Sequence, residues 1–120
     1  MGVNVSDRTV VPGDKLHIIT RRLFHEDVRR HFAGEVVSAS DELFEIQGYT
    51  FVFHSGTNEY RKRPEIRTRI FSLADAGHIV NKIPREVDIA SLEYRVVESR
   101  LVVTDSSGFV LDINEFGLLS

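Results

Sequence analysis

Residues 43–54 read Leu-Phe-Glu-Ile-Gln-Gly-Tyr-Thr-Phe-Val-Phe-His, and they show the alternation of polar and apolar side chains that indicates a β-strand. Before Gly48, the apolar residues Phe44 and Ile46 share one face of such a strand. After Gly48, the aromatic residues Tyr49, Phe51 and Phe53 share the other face. Because side chains on a strand alternate with a period of two, the apolar face can change sides only where the strand shifts by one residue. We therefore predict a β-bulge or bend at Gly48, a feature that allows an antiparallel sheet to curl.

The segments around this strand also have strand character, and turn residues separate them at short intervals. Runs rich in β-branched and aromatic residues predict strands over residues 15–24, 29–39, 66–73, 78–83, 94–97, 100–104 and 109–113. Clusters of proline, glycine, serine and acidic residues predict turns at 12–14, 25–27, 40–42, 75–77 and 105–108. One helical pattern occurs near 88–93, where Asp88 can cap and Ile89 and Leu92 are three positions apart.

Seven or eight short strands joined by tight turns are typical of a mainly β protein built as an antiparallel meander. We expect the meander to close into a small barrel, because the change of face at Gly48 favours curling, and a β-sandwich is the alternative. The expected domain organisation is a flexible N-terminus over 1–12 and a single β domain over 13–120. The barrel interior should hold some combination of Leu16, Ile18, Phe32, Val36, Phe44, Ile46, Phe51, Phe53, Ile70, Val102, Val110 and Leu111.

Composition restricts the class of protein. Hydrophobic residues make up 42% of the 120 residues and charged residues 28%, which is enough for one core and too apolar for a disordered chain. The chain has no cysteine, which excludes disulfides, thiolate metal sites and thiol nucleophiles. Its apolar runs are far shorter than the roughly 20 residues that a membrane-spanning helix needs. We expect a soluble, cytoplasmic protein with no membrane partner.

Motifs for catalysis are sparse. The five histidines show no metal-ligand spacing, and the chain contains neither a G-x-S-x-G nucleophile elbow nor a glycine-rich phosphate loop. The carboxylates near the C-terminal end lack the register of a calcium loop. The sequence therefore predicts no catalytic residue, no metal site and no cofactor, and it favours a non-enzymatic role while leaving an enzyme open.

Residues 60–69, Tyr-Arg-Lys-Arg-Pro-Glu-Ile-Arg-Thr-Arg, form a basic segment in a chain whose formal net charge is −3. Five positive charges and one negative charge give this segment a net charge of +4. Arg67 and Arg69 share one face of a predicted strand, whereas the basic residues before Pro64 are expected on a loop that can close over a ligand. A second arginine cluster flanks the first hairpin, and the two clusters would form one electropositive patch if the fold makes them adjacent. The candidate anion-binding residues are Arg61, Lys62, Arg63, Arg67, Arg69, Arg21, Arg22, Arg29 and Arg30.

These charges also have a purely structural interpretation, because charged side chains on an edge strand prevent aggregation without any ligand. The leading hypothesis is a small binding or interaction module whose arginines contact an anionic partner, such as a phosphate, a nucleotide or an acidic protein surface. The overall acidity disfavours nucleic acid as that partner. The alternative is a ligand-cavity barrel or a small enzyme with its site in the barrel interior, which would place His31, His54 or Glu35 inside. Unpaired outer strands also predict self-association, for example as a homodimer.

Overall fold

A computed structural model describes residues 9–21, 29–75, 77–105 and 107–113. In these ranges the chain is mainly antiparallel β-structure with almost no helix, as the sequence predicts. The larger of two sheets contains β1 (Lys15–Thr20), β2 (Arg30–Ala39), β3 (Leu43–His54), β4 (Glu59–Lys62), β5 (Arg67–Ser72) and β6 (His78–Ile83). A 3₁₀ helix over Ile89–Ser91 then leads to the smaller sheet, which contains β7 (Glu93–Val97), β8 (Arg100–Thr104) and β9 (Val110–Asp112).

Strand β3 organises the larger sheet because it is long enough to pair with three neighbours. One side of β3 pairs with β2, and the other side pairs with β5 over residues 43–48 and with β4 over residues 51–54. Strand β2 continues to β1, and β1 continues to β6. Strands β5 and β6 therefore occupy opposite edges of the sheet, although only residues 73–77 connect them.

This short connection between opposite edges requires the sheet to curl. The ring of Phe71 on β5 lies 5.0 Å from the ring of His78 on β6, so the two edges approach each other across one face, which we call the concave face. No ladder joins β5 to β6 in the described ranges, and the expected closed barrel is not found. In the described ranges β5 is hydrogen-bonded to β3 on one side only, and its other edge carries no ladder.

The larger sheet buries side chains on both of its faces. The concave face holds one core, which contains Val10, Leu16, Ile18, Phe32, Val36, Phe44 and Ile46. The smaller sheet packs on the opposite, convex face and encloses a second core, which contains Ala33, Phe51, Tyr60, Ile83, Val87, Leu92, Leu101 and Val103. Strands that are covered on both faces carry apolar side chains of both parities instead of a strict alternation.

The change of apolar face at Gly48 therefore has a different cause from the predicted bulge. The pairing of β2 with β3 runs through Gly48 without interruption, and the register shift lies between Val36 and Ser38 instead. The first half of β3 supplies the concave core, and its second half supplies the convex core. Gly48 lies opposite Gly34, and a Cβ atom at Gly48 would collide with the carbonyl oxygen of Ala33. Glycine is needed at this position because the two backbones approach so closely.

Two residues expected in the interior lie at the surface. Ile70 is 70% exposed and Val110 is 59% exposed. Ile70 lies opposite Glu45 on the convex face of the outer strand β5, and Val110 lies on β9 at the edge of the smaller sheet. Most of the remaining expected interior residues divide between two cores instead of filling one barrel, and Phe51, for example, packs under the smaller sheet. Val102 is buried but belongs to neither core.

The predicted helical turn is confirmed as the 3₁₀ helix. The Asp88 carboxylate accepts hydrogen bonds from the backbone N–H of Ala90 at 3.1 Å and from the hydroxyl of Ser91 at 2.7 Å, which caps the helix. Leu92 follows and is buried in the convex core. In the part of the chain that the structure describes, no helix has the length and apolar content needed to cross a membrane. Residues 1–8 and the turn expected at 25–27 lie outside the described ranges.

Candidate functional site

The basic segment begins in a strand, not in the expected loop. Residues Glu59–Lys62 form β4, in which Tyr60 lies opposite Phe53 of β3. Tyr60 is buried in the convex core, and burial of its ring stabilises a strand that its charged neighbours do not predict. Arg63 extends the pairing, because its backbone N–H donates to the carbonyl of Thr50 at 2.8 Å.

Strand register assigns four of the eight candidate arginines to the concave face. Residues opposite each other in an antiparallel ladder project to the same side of the sheet. Arg69 lies opposite Ile46, and Arg30 lies two positions from Phe32, and both of these apolar residues belong to the concave core. The alternation of side chains along β4 and β5 places further arginines on the same side of the sheet. The arginines of the concave face include Arg30, Arg61, Arg67 and Arg69.

Arg30 and Arg69 line one depression of ≈ 200 Å³ on this face. The remaining lining residues are Thr20, His31, Phe32, Thr50 and Phe71, and none of them carries a carboxylate. Both arginines are exposed, and neither forms an ion pair with another residue in the described ranges. The fold thus joins one member of each arginine cluster in a single cationic depression, which we call the arginine pocket.

The other candidate residues are placed less favourably for a shared site. Arg61 pairs with the exposed carboxylate of Glu59 at 3.3 Å, which offsets part of its charge. The guanidinium of Arg29 lies 5.7 Å from the centre of the Phe53 ring. Arg21 is exposed just after β1, and Arg22 lies outside the described residues.

Lys62 lies on the convex side, away from the arginine pocket. Its ammonium group donates to the carbonyl oxygen of Ala90 and sits 4.2 Å from the centre of the Tyr49 ring. Burial lowers the pKa of Lys62, and the nearby negative charge of Asp88 opposes this shift only in part. Lys62 therefore ties β4 to the 3₁₀ helix, and it does not contribute to the concave surface.

A second polar cluster, the histidine–tyrosine cluster, lies between the two sheets and consists of His17, His31, Tyr60 and Tyr94. The hydroxyl oxygen of Tyr94 lies 2.7 Å from Nε2 of His17 and 2.6 Å from Nδ1 of His31. The hydroxyl oxygen of Tyr60 lies 3.3 Å from Nε2 of His31. Both histidines are almost completely buried, at 0% and 1% exposure. The cluster joins the larger sheet to β7 through polar contacts inside an otherwise apolar core.

Proton counting restricts how these bonds are made. The Tyr94 hydroxyl has one proton and cannot donate to both imidazole rings. At least one histidine must therefore donate its N–H to the Tyr94 oxygen, which can also accept a second such hydrogen bond. The result is an unbroken chain of alternating imidazole and phenol groups in the order His17, Tyr94, His31, Tyr60.

Sequence reasoning did not find this cluster, because its members come from four separate strands. His17 and His31 belong to β1 and β2, Tyr60 to β4 and Tyr94 to β7. The available signal was the position of both histidines in otherwise apolar strands, where a polar residue is buried only if it finds partners. His54, one of the groups expected inside a ligand-cavity barrel, is exposed at the end of β3.

In the described ranges, no group of three or more histidine, cysteine or acidic side chains is arranged to hold a metal ion. Comparisons with protein-family models, with curated proteins and with solved structures found no match. We therefore infer function from the geometry of the arginine pocket and the histidine–tyrosine cluster.

Proposed function

We propose that the protein is a small binding module that holds a phosphate-bearing ligand on its concave face through Arg30 and Arg69. The observation that carries this proposal is the arginine pocket, a depression lined by two arginines from separate strands and by no carboxylate. Guanidinium groups form planar, paired hydrogen bonds to phosphate oxygens, and the hydroxyls of Thr20 and Thr50 add further donors.

The size of the arginine pocket indicates which part of the ligand it holds. Its volume of ≈ 200 Å³ is below the roughly 300–1,000 Å³ of sites that enclose a whole small molecule. The pocket therefore suits one phosphate group of a larger molecule. The rest of that ligand would extend along β5 past Arg67, which is exposed on the same face.

The competing explanation, a charged edge that only prevents aggregation, accounts less well for this arrangement. An edge strand needs charge on its own side chains. Arg30, however, lies on β2, which is paired on both sides with β1 and β3. A charge in the middle of the sheet that lines a pocket with an edge arginine favours a ligand site.

The alternative of a ligand cavity or active site inside the curled sheet receives less support. The concave interior is filled by apolar side chains, among them Leu16, Ile18 and Phe44, each at most 2% exposed. His31 is buried, but it contacts the smaller sheet through Tyr94, on the convex side. Any enclosed chemistry therefore belongs between the two sheets.

The test is a titration with pyrophosphate and with a short oligonucleotide at low salt, for the wild type and for the double variant Arg30→Gln/Arg69→Gln. We expect binding that weakens at least about tenfold in the variant, because two charge-assisted contacts are lost. Binding should also weaken as salt rises, since exposed charges are screened within about 8 Å at physiological ionic strength.

The matched control is Arg95→Gln/Arg100→Gln, which removes the same charge from exposed positions on the smaller sheet. This control should bind as the wild type does. Absence of binding by the wild type, or equal loss in both double variants, would mean that the arginines act only through net charge or not at all.

A further inference from the structure

The arginine pocket is closed on the side where it meets the concave core. Two of its lining residues, Phe32 and Phe71, have ring centroids 5.8 Å apart. The Phe71 ring also stacks on that of Phe44 at 5.8 Å, and both Phe32 and Phe44 belong to the concave core. These two core rings are 4% and 2% exposed, so the space beyond them is filled. A ligand therefore enters from the side of the exposed Arg30 and Arg69.

A pocket that is closed at one end accepts the end of a molecule more readily than its middle. A phosphate monoester has one substituent, so its three terminal oxygens can point into the pocket while the substituent leaves through the opening. A phosphate diester has two substituents, and both of them have to leave through the same opening. Because the volume is only ≈ 200 Å³, the shape of the pocket favours a terminal phosphate over an internal one.

The charge of the pocket favours the same choice. A phosphate monoester carries a charge of about −1.5 to −2 at pH 7, because its second pKa is near 6, whereas a diester carries a single negative charge. Arg30 and Arg69 supply two positive charges, and the lining contains no carboxylate that would offset them. The hydroxyls of Thr20 and Thr50 are further donors for the terminal oxygens.

We infer that the arginine pocket selects the terminal phosphate of a small phosphate monoester and discriminates against phosphate diesters. This inference rests on the proposed function, because it names the class of ligand that the same pocket takes. The pocket encloses the phosphate and little else, so nucleotides and sugar phosphates share the chemistry that it recognises. The internal phosphates of a nucleic-acid backbone do not.

The probe pair is thymidine 5′-monophosphate and its methyl ester, a diester with the same nucleoside, titrated by calorimetry at pH 7.5 and low salt. We expect the monoester to bind at least about tenfold more tightly, because its second charge faces two arginines. Glycerol 3-phosphate distinguishes a nucleotide site from a general monoester site. It should bind within about threefold of thymidine 5′-monophosphate, since both present the same terminal phosphate.

The variant that tests the role of the charges is Arg30→Gln/Arg69→Gln. Both positions are exposed, so the fold should be retained, and the variant should bind the two thymidine probes equally weakly. The matched control is Arg95→Gln/Arg100→Gln on the smaller sheet, which should keep the preference for the monoester.

A second variant tests the closed end independently of charge. Phe71→Leu shortens the side chain that closes the pocket, and it should improve binding of the diester relative to the monoester about threefold. The ratio of the two affinities is the readout, so a general loss of stability does not imitate the effect.

The outcomes separate this inference from the proposed function. If neither thymidine probe binds to the wild type, the proposed anion site itself is wrong. If both probes bind equally and both weaken in Arg30→Gln/Arg69→Gln, the anion site stands and the selection of monoesters is refuted. The inference is also overturned if glycerol 3-phosphate fails to bind while thymidine 5′-monophosphate binds, because the site would then recognise the nucleoside.

Discussion

At the scale of single residues, the Tyr94 hydroxyl is the group that contributes most to holding the two sheets together. It lies within hydrogen-bond distance of two buried imidazoles, His17 and His31, that have little access to water. Buried polar groups that lose a partner destabilise a fold more than the bond itself stabilises it. The smaller sheet should therefore be sensitive to the loss of a single oxygen atom at this position.

Tyr94→Phe keeps the aromatic ring and removes that oxygen. We expect the free energy of unfolding to fall by about 1–3 kcal/mol, because both histidines lose a hydrogen-bond partner in the core. Urea denaturation monitored by circular dichroism measures the change. The control is Tyr49→Phe, since the Tyr49 ring packs beneath Lys62 through its face, and this change should cost less than about 0.5 kcal/mol. Equal losses in the two variants would contradict the role assigned to Tyr94.

Gly48 and Tyr60 show which structural roles of single residues can be predicted from the sequence and which cannot. The pattern around Gly48 correctly identified a special position, but it could not distinguish a bulge from a strand whose two halves serve opposite cores. Tyr60 begins the basic segment, and the local charge there gives no sign of the apolar contacts that bury its ring. Both outcomes depend on the smaller sheet, whose position is set by contacts distant in sequence.

At the scale of elements, the turn before β1 anchors one end of the larger sheet. The Asp14 carboxylate accepts hydrogen bonds from the backbone N–H of Val11 at 3.0 Å and from Arg85 at 2.9 Å, and the amine of Lys82 lies 3.7 Å away. Burial raises the pKa of Asp14, but these donors and positive charges together outweigh it and hold the pKa below its usual value. The ion pair thus connects the first turn to the loop after β6.

Because the folded-state pKa of Asp14 is lowered, its contribution to stability is present above the unfolded-state pKa of about 3.9 and is lost as the pH falls through the lower folded value. We expect Asp14→Asn to cost about 1 kcal/mol at neutral pH, since both cationic partners are largely exposed. The difference from wild type should shrink towards zero as the pH is lowered through the folded-state pKa of Asp14. Urea denaturation at a series of pH values tests this.

Glu59→Gln is the control for this prediction, because the ion pair of Glu59 with Arg61 is exposed on both sides. Its effect should stay within about 0.5 kcal/mol at every pH. A stability difference for Asp14→Asn that is independent of pH would show that the carboxylate charge is not what stabilises the turn.

The strand order was the part of the fold least accessible from sequence. The bounds of β3 and the short helix near residue 89 follow from local alternation and capping, and the structure confirms both. Barrel closure and the division into two sheets depend instead on which edges meet, and no local pattern encodes that. The sequence could predict the arginine pocket only on the condition that the two arginine clusters come together, because Arg30 and Arg69 lie on β2 and β5, which flank β3, and line one depression.

At the scale of the whole molecule, the outer strand β5 remains open. In the described ranges it pairs with β3 alone, and its convex side exposes Ile70 at 70% and the adjoining Ile66 at 55%. An unpaired edge beside exposed apolar side chains is a common site of symmetric pairing. We propose that a second copy of the chain covers this edge.

Light scattering at micromolar concentration should therefore give the mass of a dimer for the wild type. Ile70→Lys places a charge at the centre of the exposed apolar surface and should shift the mass towards the monomer, whereas Val110→Lys on the smaller sheet should not. A monomeric wild type would refute self-association through β5.

The central claim is that Arg30 and Arg69 act together as an anion site, and NMR chemical-shift mapping with pyrophosphate at low salt tests it most directly. We predict that the largest amide and guanidinium shifts occur at Thr20, Arg30, Thr50 and Arg69, four of the residues that line the arginine pocket, and that they saturate with a single dissociation constant. Shifts spread evenly over exposed basic residues, or confined to the smaller sheet, would contradict it.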